Sequence, residues 1–323
     1  MQTRLTLSIA AFALALAAST GASAQQPYPN KPVKFIVPIT PGGSNDVLAR
    51  TIAQKLSDQW KQAVVVENRP GGGMNLGSDL VAKSAPDGYT WLLGANNIFV
   101  TNPHVGKMPF DVFKDLVPVT TVAVVPFVLA VNANFPAKNV AELVEYAKKN
   151  PNALNYGSSG NGSPQQLAAE MLSHVAGIKM QHVPYKGAVP AITDLLGGRI
   201  QVFIGAVNSL LPHVKDGKLR LLAGAGGKRF AAFPDLPAIA ETVPGVALDV
   251  WLGVFMPTGV PKDILTKVNA DIAQVLQSPE VRTSLAAQGI EPTTSTPEAL
   301  AQIIRDDHAR WGKVIREANI KAD

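Results

Sequence analysis

The 323-residue chain contains no cysteine. That removes disulfides, thiol catalysis and cysteine-ligated zinc at once, and leaves the packed core to stabilise the fold. Charge is also scarce: Asp, Glu, Lys and Arg make up 16% of the residues against 46% apolar ones, a globular composition rather than a disordered one. The net charge of +5 falls to +4 when Arg4 is set aside with the leader described below. No Lys/Arg run tracks phosphates, so nucleic acid is not expected as a partner. After the N-terminal stretch no apolar run is long enough to cross a bilayer. Enzyme motifs are missing too. Gly157-Ser158-Ser159-Gly160-Asn161 fails the G-x-S-x-G elbow because position 161 is Asn. There is no Walker loop, and Gly160-Asn161-Gly162 lacks the third glycine of a dinucleotide fingerprint. The five histidines (104, 174, 182, 213 and 308) are scattered, with no H-E-x-x-H pair. No metal, no organic cofactor and no catalysis are expected. A Ser-His-Asp site assembled from distant positions keeps a secreted hydrolase open as an alternative.

What is present begins with a leader. Arg4 supplies a positive start, residues 5–18 are almost wholly apolar, and Ala22-Ser23-Ala24 precedes Gln25. That order is the pattern of a secretory signal peptide, residues 1–24, cleaved after Ala24. The apolar run of about 14 residues falls short of the ~20 a membrane helix needs. With no cysteine at the cleavage point a lipid anchor is excluded. The expected mature chain, from Gln25 to Asp323, is long enough for two domains.

Along that chain strands and helices alternate. Val33–Val37 reads as a buried strand ending at Pro38, and Pro41-Gly42-Gly43-Ser44 turns into a helix from about Asn45 to Ser57. Val64–Val66 is a second strand, Pro70-Gly71-Gly72-Gly73 a breaker before a helix to Lys83, and Tyr89–Leu93 a third strand. A similar series starts at Pro126. Phe127–Val131 is a strand, and Asn139 with Glu142 caps a helix. Leu154–Tyr156 leads through Gly157–Ser163 into a helix to Val175. His182-Val183 leads through Pro184-Tyr185-Lys186-Gly187 into another, and Gln201–Ile204 precedes a helix opened by Asn208. The last third holds a strand at Trp251–Phe255, a helix with Ile264, Leu265, Val268, Ile272, Val275 and Leu276 on one face, and a C-terminal helix begun by Thr296-Pro297-Glu298. This alternation predicts an α/β fold of two lobes, each a doubly wound, mainly parallel sheet flanked by helices. The chain is expected to cross near residues 124 and 251. Lobe 1 is then residues 25–124 with 252–323, and lobe 2 residues 125–251.

One device recurs. The loops at 41–46, 157–163 and 184–187 are rich in glycine and small polar residues, follow a strand and open a helix. Glycine admits a ligand close to the backbone, and a helix N-terminus offers free N–H groups at the positive end of its dipole. Together they suit an anion such as a carboxylate, in the place where doubly wound sheets bind ligands. Taken singly, each loop also reads as a tight turn, and each serine as a cap.

At these residues the chain resembles a known family. Pro41-Gly42-Gly43-Ser44-Asn45-Asp46-Val47-Leu48-Ala49-Arg50, Val66-Glu67-Asn68-Arg69-Pro70-Gly71 and Pro86-Asp87-Gly88-Tyr89-Thr90 are similar to segments of the Bug family, the extracytoplasmic receptors of tripartite tricarboxylate transporters. So are Asn155–Gly160, His182–Gly187, Asp194–Gly198 and Leu211-Pro212-His213, in order along the mature chain. The resemblance implies a two-lobed, type II-like periplasmic-binding-protein fold, and a periplasmic, monomeric receptor that holds a small carboxylate, a di- or tricarboxylate or an aromatic acid, and delivers it to membrane transporter subunits. A sensing module feeding a sensor kinase is the alternative. It further implies ligand contacts from Thr40, Gly42, Gly43 and Asp46 in one lobe. From the other it implies Ser158, Ser159, Asn161, Ser163, Tyr185, Lys186, Gly187 and Asn208. Two departures fall near the expected cleft: Asn96-Asn97-Ile98-Phe99 after the third strand, where Asn96 is a further candidate, and Gln166 where relatives often carry His. Phe99 and Trp251 are candidates for favouring an aromatic acid, or are simply core.

Overall fold

Val33, Phe35, Ile36 and Val37 are all fully buried in the computed structural model. Strand β1 (Val33–Val37) therefore faces packed helices on both sides, as a near-continuous β-branched and aromatic run requires. The structure describes residues 28–230 and 232–317, so the expected leader and its cleavage point lie outside the described residues. All elements below belong to the unit Lys31–Asp323.

From β1 the chain runs through α1 (Ser44–Trp60), β2 (Val64–Asn68), a short 3-10 turn at Gly72–Met74, α2 (Asn75–Ala82) and β3 (Thr90–Ala95). The short helices α3 (Asn97–Val100) and α4 (Asn102–Val105) lead to the long strand β4 (Leu116–Val125). A second series follows: β5 (Phe127–Asn132), α5 (Val140–Lys149), β6 (Leu154–Ser158), α6 (Pro164–Ala176), β7 (Met180–Pro184) and α7 (Ala188–Leu196). It ends with β8 (Val202–Ala206), α8 (Val207–Lys215), β9 (Leu219–Gly224) and α9 (Ile239–Thr242). The chain returns through β10 (Val250–Pro257), α10 (Lys262–Gln277), α11 (Pro279–Ala286), β11 (Glu291–Pro292) and α12 (Pro297–Glu317).

These strands make two sheets, one of six strands in the order β11-β4-β10-β3-β1-β2 and one of five in the order β7-β6-β8-β5-β9. Each is parallel through its βαβ units, β2-β1-β3 and β7-β6-β8. Each turns antiparallel where the connecting strands enter, at β10 and β4 in the first sheet and at β5 and β9 in the second. The reason is the direct passage between sheets. Only Pro126 separates β4 from β5, and no helix intervenes to bring the strand back parallel. Leu248 still bonds to Ala225 beyond β9, while Val250 already pairs with Val125 of β4. The chain thus passes between the sheets at Pro126 and again between Leu248 and Val250.

Each sheet has its own apolar packing. In the first, Trp91 meets Phe35 and Trp60 edge-on at 5.5 and 5.6 Å, and Phe99 lies 4.7 Å from Phe255. In the second, Val128, Ala130, Ala191, Ile192, Leu195 and Phe203 are almost wholly buried together. Burying each large apolar side chain contributes about 1.5–3 kcal/mol, which is how a chain without disulfides is stabilised. Trp251 belongs to this core. Its ring stacks on Phe99 at 6.4 Å and its Nε1–H donates to Asp307 at 2.8 Å.

Candidate functional site

A cavity of about 750 Å3 lies between the two sheets, within the ~300–1,000 Å3 usual for small-molecule sites. The first sheet supplies Thr40, Gly43, Ser44 and Asn45 from the β1–α1 loop and Pro70–Met74 from the loop after β2. The second supplies Ser159, Gly160, Asn161 and Ser163 after β6, Tyr185, Lys186 and Gly187 after β7, Ala206 at the end of β8 and Ser209 in the first turn of α8. The loops meet across the cavity. Ser44 Oγ donates to Asn208 Oδ1 at 2.6 Å, and Asn97 Nδ2 donates to the carbonyls of Gly73 (2.8 Å) and Gly162 (3.4 Å). Two glycines sit where nothing larger fits. A Cβ on Gly187 would lie 2.5 Å from Thr40 Oγ1, and one on Gly73 would lie 2.3 Å from the carbonyl oxygen of Asn161. Both residues also have positive φ, +113° and +59°, a region other residues enter at a cost.

The polar supply comes from helix ends. Helices α1, α7 and α8 each begin at this cavity without a side-chain cap. Their first N–H groups have no acceptor inside the helix, although at α8 the Val207 N–H donates to the Pro126 carbonyl at 3.0 Å. The contacts Thr40–Gly187 and Ser44–Asn208 bring these starts together at one end. Asn45, 7% exposed, lines the same wall, and its amide nitrogen has no hydrogen-bond partner among the described residues. A buried donor without a partner costs free energy that a ligand oxygen would recover. Lys186 is the one charged residue among the described lining, and it makes no ion pair among the described residues.

Several expected residues stand behind the wall instead of in it. Asp46 is buried, and its carboxylate accepts from Gly42 N (3.1 Å), Arg50 Nε (3.0 Å) and Asn68 Nδ2 (2.9 Å). Burial alone raises its pKa, but the bonds from Arg50, Asn68 and Gly42 outweigh that and hold it below the ordinary carboxylate value. Asp46 thus fixes the loop while Arg50 neutralises a charge that would repel an anion. Gly42 bonds back to Asp46 and does not line the cavity. Asn96 does not line it either. It is 2% exposed, its Nδ2 donating to the Asp249 carbonyl (3.0 Å) and its N–H to that of Trp251 (3.1 Å). Phe99 and Trp251 are likewise core. Asn208 reaches the site only through Ser44. Tyr185 is a wall residue tied from behind. Burial, then its bond to Asp194 (2.8 Å) and that residue's charge, push the phenol up to about 12. It stays a neutral donor.

Ser158 is the serine that bears on the hydrolase alternative. Its Oγ lies 2.6 Å from His182 Nε2, the contact of a nucleophile with its base. Yet Ser158 is fully buried outside the cavity lining, and its hydroxyl also bonds to the N–H and carbonyl of Gly160. At its other ring nitrogen, His182 Nδ1 lies 3.4 Å from the Gln166 side-chain amide. Ser158, His182 and Gln166, whose Oε1 also accepts from Gly162 N at 2.7 Å, brace the 158–162 loop. Among the described residues no group of three His, Asp or Glu is placed to hold a metal ion, and no helix is long and apolar enough to cross a membrane.

Sequence reasoning overlooked three parts of this site. Asn45 stands at the expected helix start, where its side chain carries no local sign that it lines a cavity. The Pro70–Met74 loop has the same glycine-rich strand-to-helix signature as the others and was legible as a fourth wall. The floor, formed by Ala95, Val125, Phe127, Val250 and Leu252, comes from strand pairing and left no local signal.

Known proteins share this arrangement. Residues 48–320 match the family model described as the tripartite tricarboxylate transporter family receptor. Protein BugT of Bordetella pertussis (strain Tohama I) is 37% identical over 297 residues, covering 91% of each chain. Among solved structures, Rpa4515 of R. palustris with adipate is 36% identical at a TM-score of 0.88, covering 91% of this chain and 99% of that one. MatC of Rhodopseudomonas palustris with bound malate is 28% identical at a TM-score of 0.84, covering 89% of this chain and all of that one (100%). With a match this long, on a two-lobed α/β fold built around one interlobe cavity, the chain belongs to the tripartite tricarboxylate transporter receptor family.

Proposed function

We propose that this chain is an exported receptor that captures a small carboxylate between its lobes and presents it to the membrane subunits of a tripartite tricarboxylate-type transporter, without catalysis of its own. The observation that carries this is the convergence of three helix starts without side-chain caps, and of an Asn45 amide unpartnered among the described residues, on one cavity whose described lining carries a single charge, Lys186. Such an arrangement stabilises an anion with N–H donors and dipole ends, and demands no counter-charge. The adipate and malate held by two relatives support the same ligand class.

Thr40, Gly43, Ser159, Asn161, Ser163, Tyr185, Lys186 and Gly187 then contact the ligand or its waters. Gly42, Asp46, Asn96, Ser158 and Asn208 position those that do. The lobes correspond to residues 25–124 with 252–323 and to residues 125–251. They hinge where β4 passes into β5 and where the chain re-enters the first sheet at β10, and closure buries the ligand. The working form is a periplasmic monomer released by cleavage after Ala24.

A thermal-shift screen of the purified exported protein, refolded free of carried-over ligand, tests this. An acid at ~100 times its dissociation constant should add about 2.7 kcal/mol of stability. A shift with one or more acids is the expected result. No shift with mono-, di-, tri- or aromatic carboxylates, together with hydrolysis of an ester or amide, would sink the proposal.

A further inference from the structure

Three asparagines stand together behind the cavity wall, and none of them lines the cavity: Asn75 opens α2, Asn97 opens α3 and Asn102 opens α4. Asn97 and Asn102 are 1% and 3% exposed. Acceptors surround the Asn97 Nδ2: the Gly73 carbonyl at 2.8 Å, the Gly162 carbonyl at 3.4 Å and Asn102 Oδ1 at 3.5 Å. These oxygens fix the orientation of the amide, because the reverse one would set oxygen against oxygen. Gly73 and Asn102 belong to the first lobe, Gly162 to the second. Asn102 secures the first-lobe side, its Nδ2 donating to the Gly73 carbonyl at 2.9 Å and to Asn75 Oδ1 at 2.7 Å.

Glycine stands on both sides of this contact. A Cβ on Gly162 would lie 2.6 Å from Asn102 Oδ1, as one on Gly73 would press on the Asn161 carbonyl. The lobes thus approach to a distance that glycine permits and a larger residue does not. All the donors and acceptors here come from the protein itself, so they are the same whichever acid fills the cavity, or when none does. The Ser44–Asn208 bond also crosses between the lobes, but Ser44 lines the cavity, where a ligand oxygen can compete for its hydroxyl.

On the receptor reading above, which supplies the hinge, we infer that Asn97 is a closure latch. It is a positioning residue that ties the lobes together through Gly162, so that the closed form is populated even without ligand. The two asparagines after the third strand then divide the work: Asn96 bonds to the Asp249 carbonyl, where the chain passes between the sheets, and Asn97 reaches the other lobe.

Because the chain has no cysteine, Lys83→Cys just beyond α2 and Thr193→Cys on α7, both exposed and outside the cavity lining, can carry one spin label in each lobe. Distances measured by pulsed electron resonance on the ligand-free protein should show a closed and an open population. Asn97→Ala should lower the closed-to-open ratio about fivefold, as loss of one net hydrogen bond does. Asn97→Asp keeps the size and loses the donor, and should lower the ratio at least as far, which serves if the alanine variant does not fold. Gly162→Ala, acting from the second lobe, should lower it too. An unchanged ratio in the Asn97 variants, or no closed population in the labelled protein that keeps Asn97, would overturn the inference and leave the carboxylate-receptor reading standing. A single distance in every variant, unmoved by the acids of the thermal-shift screen, would remove the hinge and the latch with it. The measurement needs no ligand, so it and that screen can fail separately.

Discussion

Helices α5 and α1 begin with nearly the same chemistry and end up with opposite tasks. In α5, Glu142 stands three residues after the cap Asn139 and accepts from the N–H of Lys138, one residue before the cap, at 2.7 Å. In α1, Asp46 stands three residues after the cap Gly43 and accepts from the N–H of Gly42 at 3.1 Å. Each is half of a capping box. The other half exists only in α5, where Asn139 Oδ1 accepts from Glu142 N at 2.9 Å. Gly43 has no side chain to do so, and the start of α1 faces the cavity while that of α5 faces solvent. Omitting one side chain leaves donors for a ligand. The acid that remains keeps the loop in shape, and Arg50 cancels its charge.

The comparison can be broken from either side. The largest expected effect comes from Asp46→Ala, which leaves the Gly42 N–H and the Asn68 amide, both in part-buried bonds, without their acceptor. Denaturant unfolding should show a loss of about 1–3 kcal/mol. Glu142→Ala on the exposed helix should cost well under about 1 kcal/mol. Because Asp46 is held below 3.8, its stabilisation is complete above that ordinary value and is lost as pH falls through the folded one. Wild type and Asp46→Asn should therefore converge in stability in acid, and a constant gap down to pH 2 would contradict the assignment.

Gly43→Ser supplies the missing half-box. Its hydroxyl competes for the N–H groups that a carboxylate would use, and ligand affinity should fall about tenfold, equivalent to ~1.4 kcal/mol. The added Cβ presses on Ile39 Cδ1 at 2.8 Å, a side chain end that can shift, so the melting temperature should move little. Calorimetry reading unchanged affinity would show that these N–H groups do not hold the ligand. The converse change, Asn139→Ala, should cost about 1 kcal/mol of stability with no change in ligand affinity.

The smallest effect concerns Tyr185. With its phenol pushed from 10.0 up to about 12, the stability linked to the neutral form is complete below pH 10 and is lost as pH rises through 12. Tyr185→Phe should lack that alkaline loss while changing neutral-pH stability by only a few tenths of a kcal/mol, since the Asp194 carboxylate keeps Arg199 at 2.6 Å. Parallel alkaline unfolding curves for the two proteins would remove the Tyr185–Asp194 bond from the account.

Local patterns made much of this fold legible. The run at β1, the Asn139 and Ser163 caps and the late helix with Val268, Ile272 and Val275 inward depend on neighbours a few residues apart, and each lies where periodicity predicts. Strand β4, with Pro118 inside it, and β9 lacked a readable alternation and were not anticipated. Among candidate residues, Ser159, Asn161, Tyr185 and Gly187 line the cavity because glycine-rich strand ends must open toward it. Asn96 and Trp251 looked equivalent in sequence and are turned into the first sheet's core by their bonds to Asp249 and Asp307.

By itself the sequence determined that the chain is α/β, that its core must be stabilised without cysteine, and that several strand ends are built of residues that expose backbone N–H. Those properties belong to short segments, set by side-chain size, period and backbone freedom. Only the tertiary structure decided which helix starts meet, that Asp46 turns away from the cavity, and that five residues from four strands form one apolar floor. Such pairings join positions far apart in the sequence, and no local rule places Leu252 beside Ala95 until the sheet has closed around them.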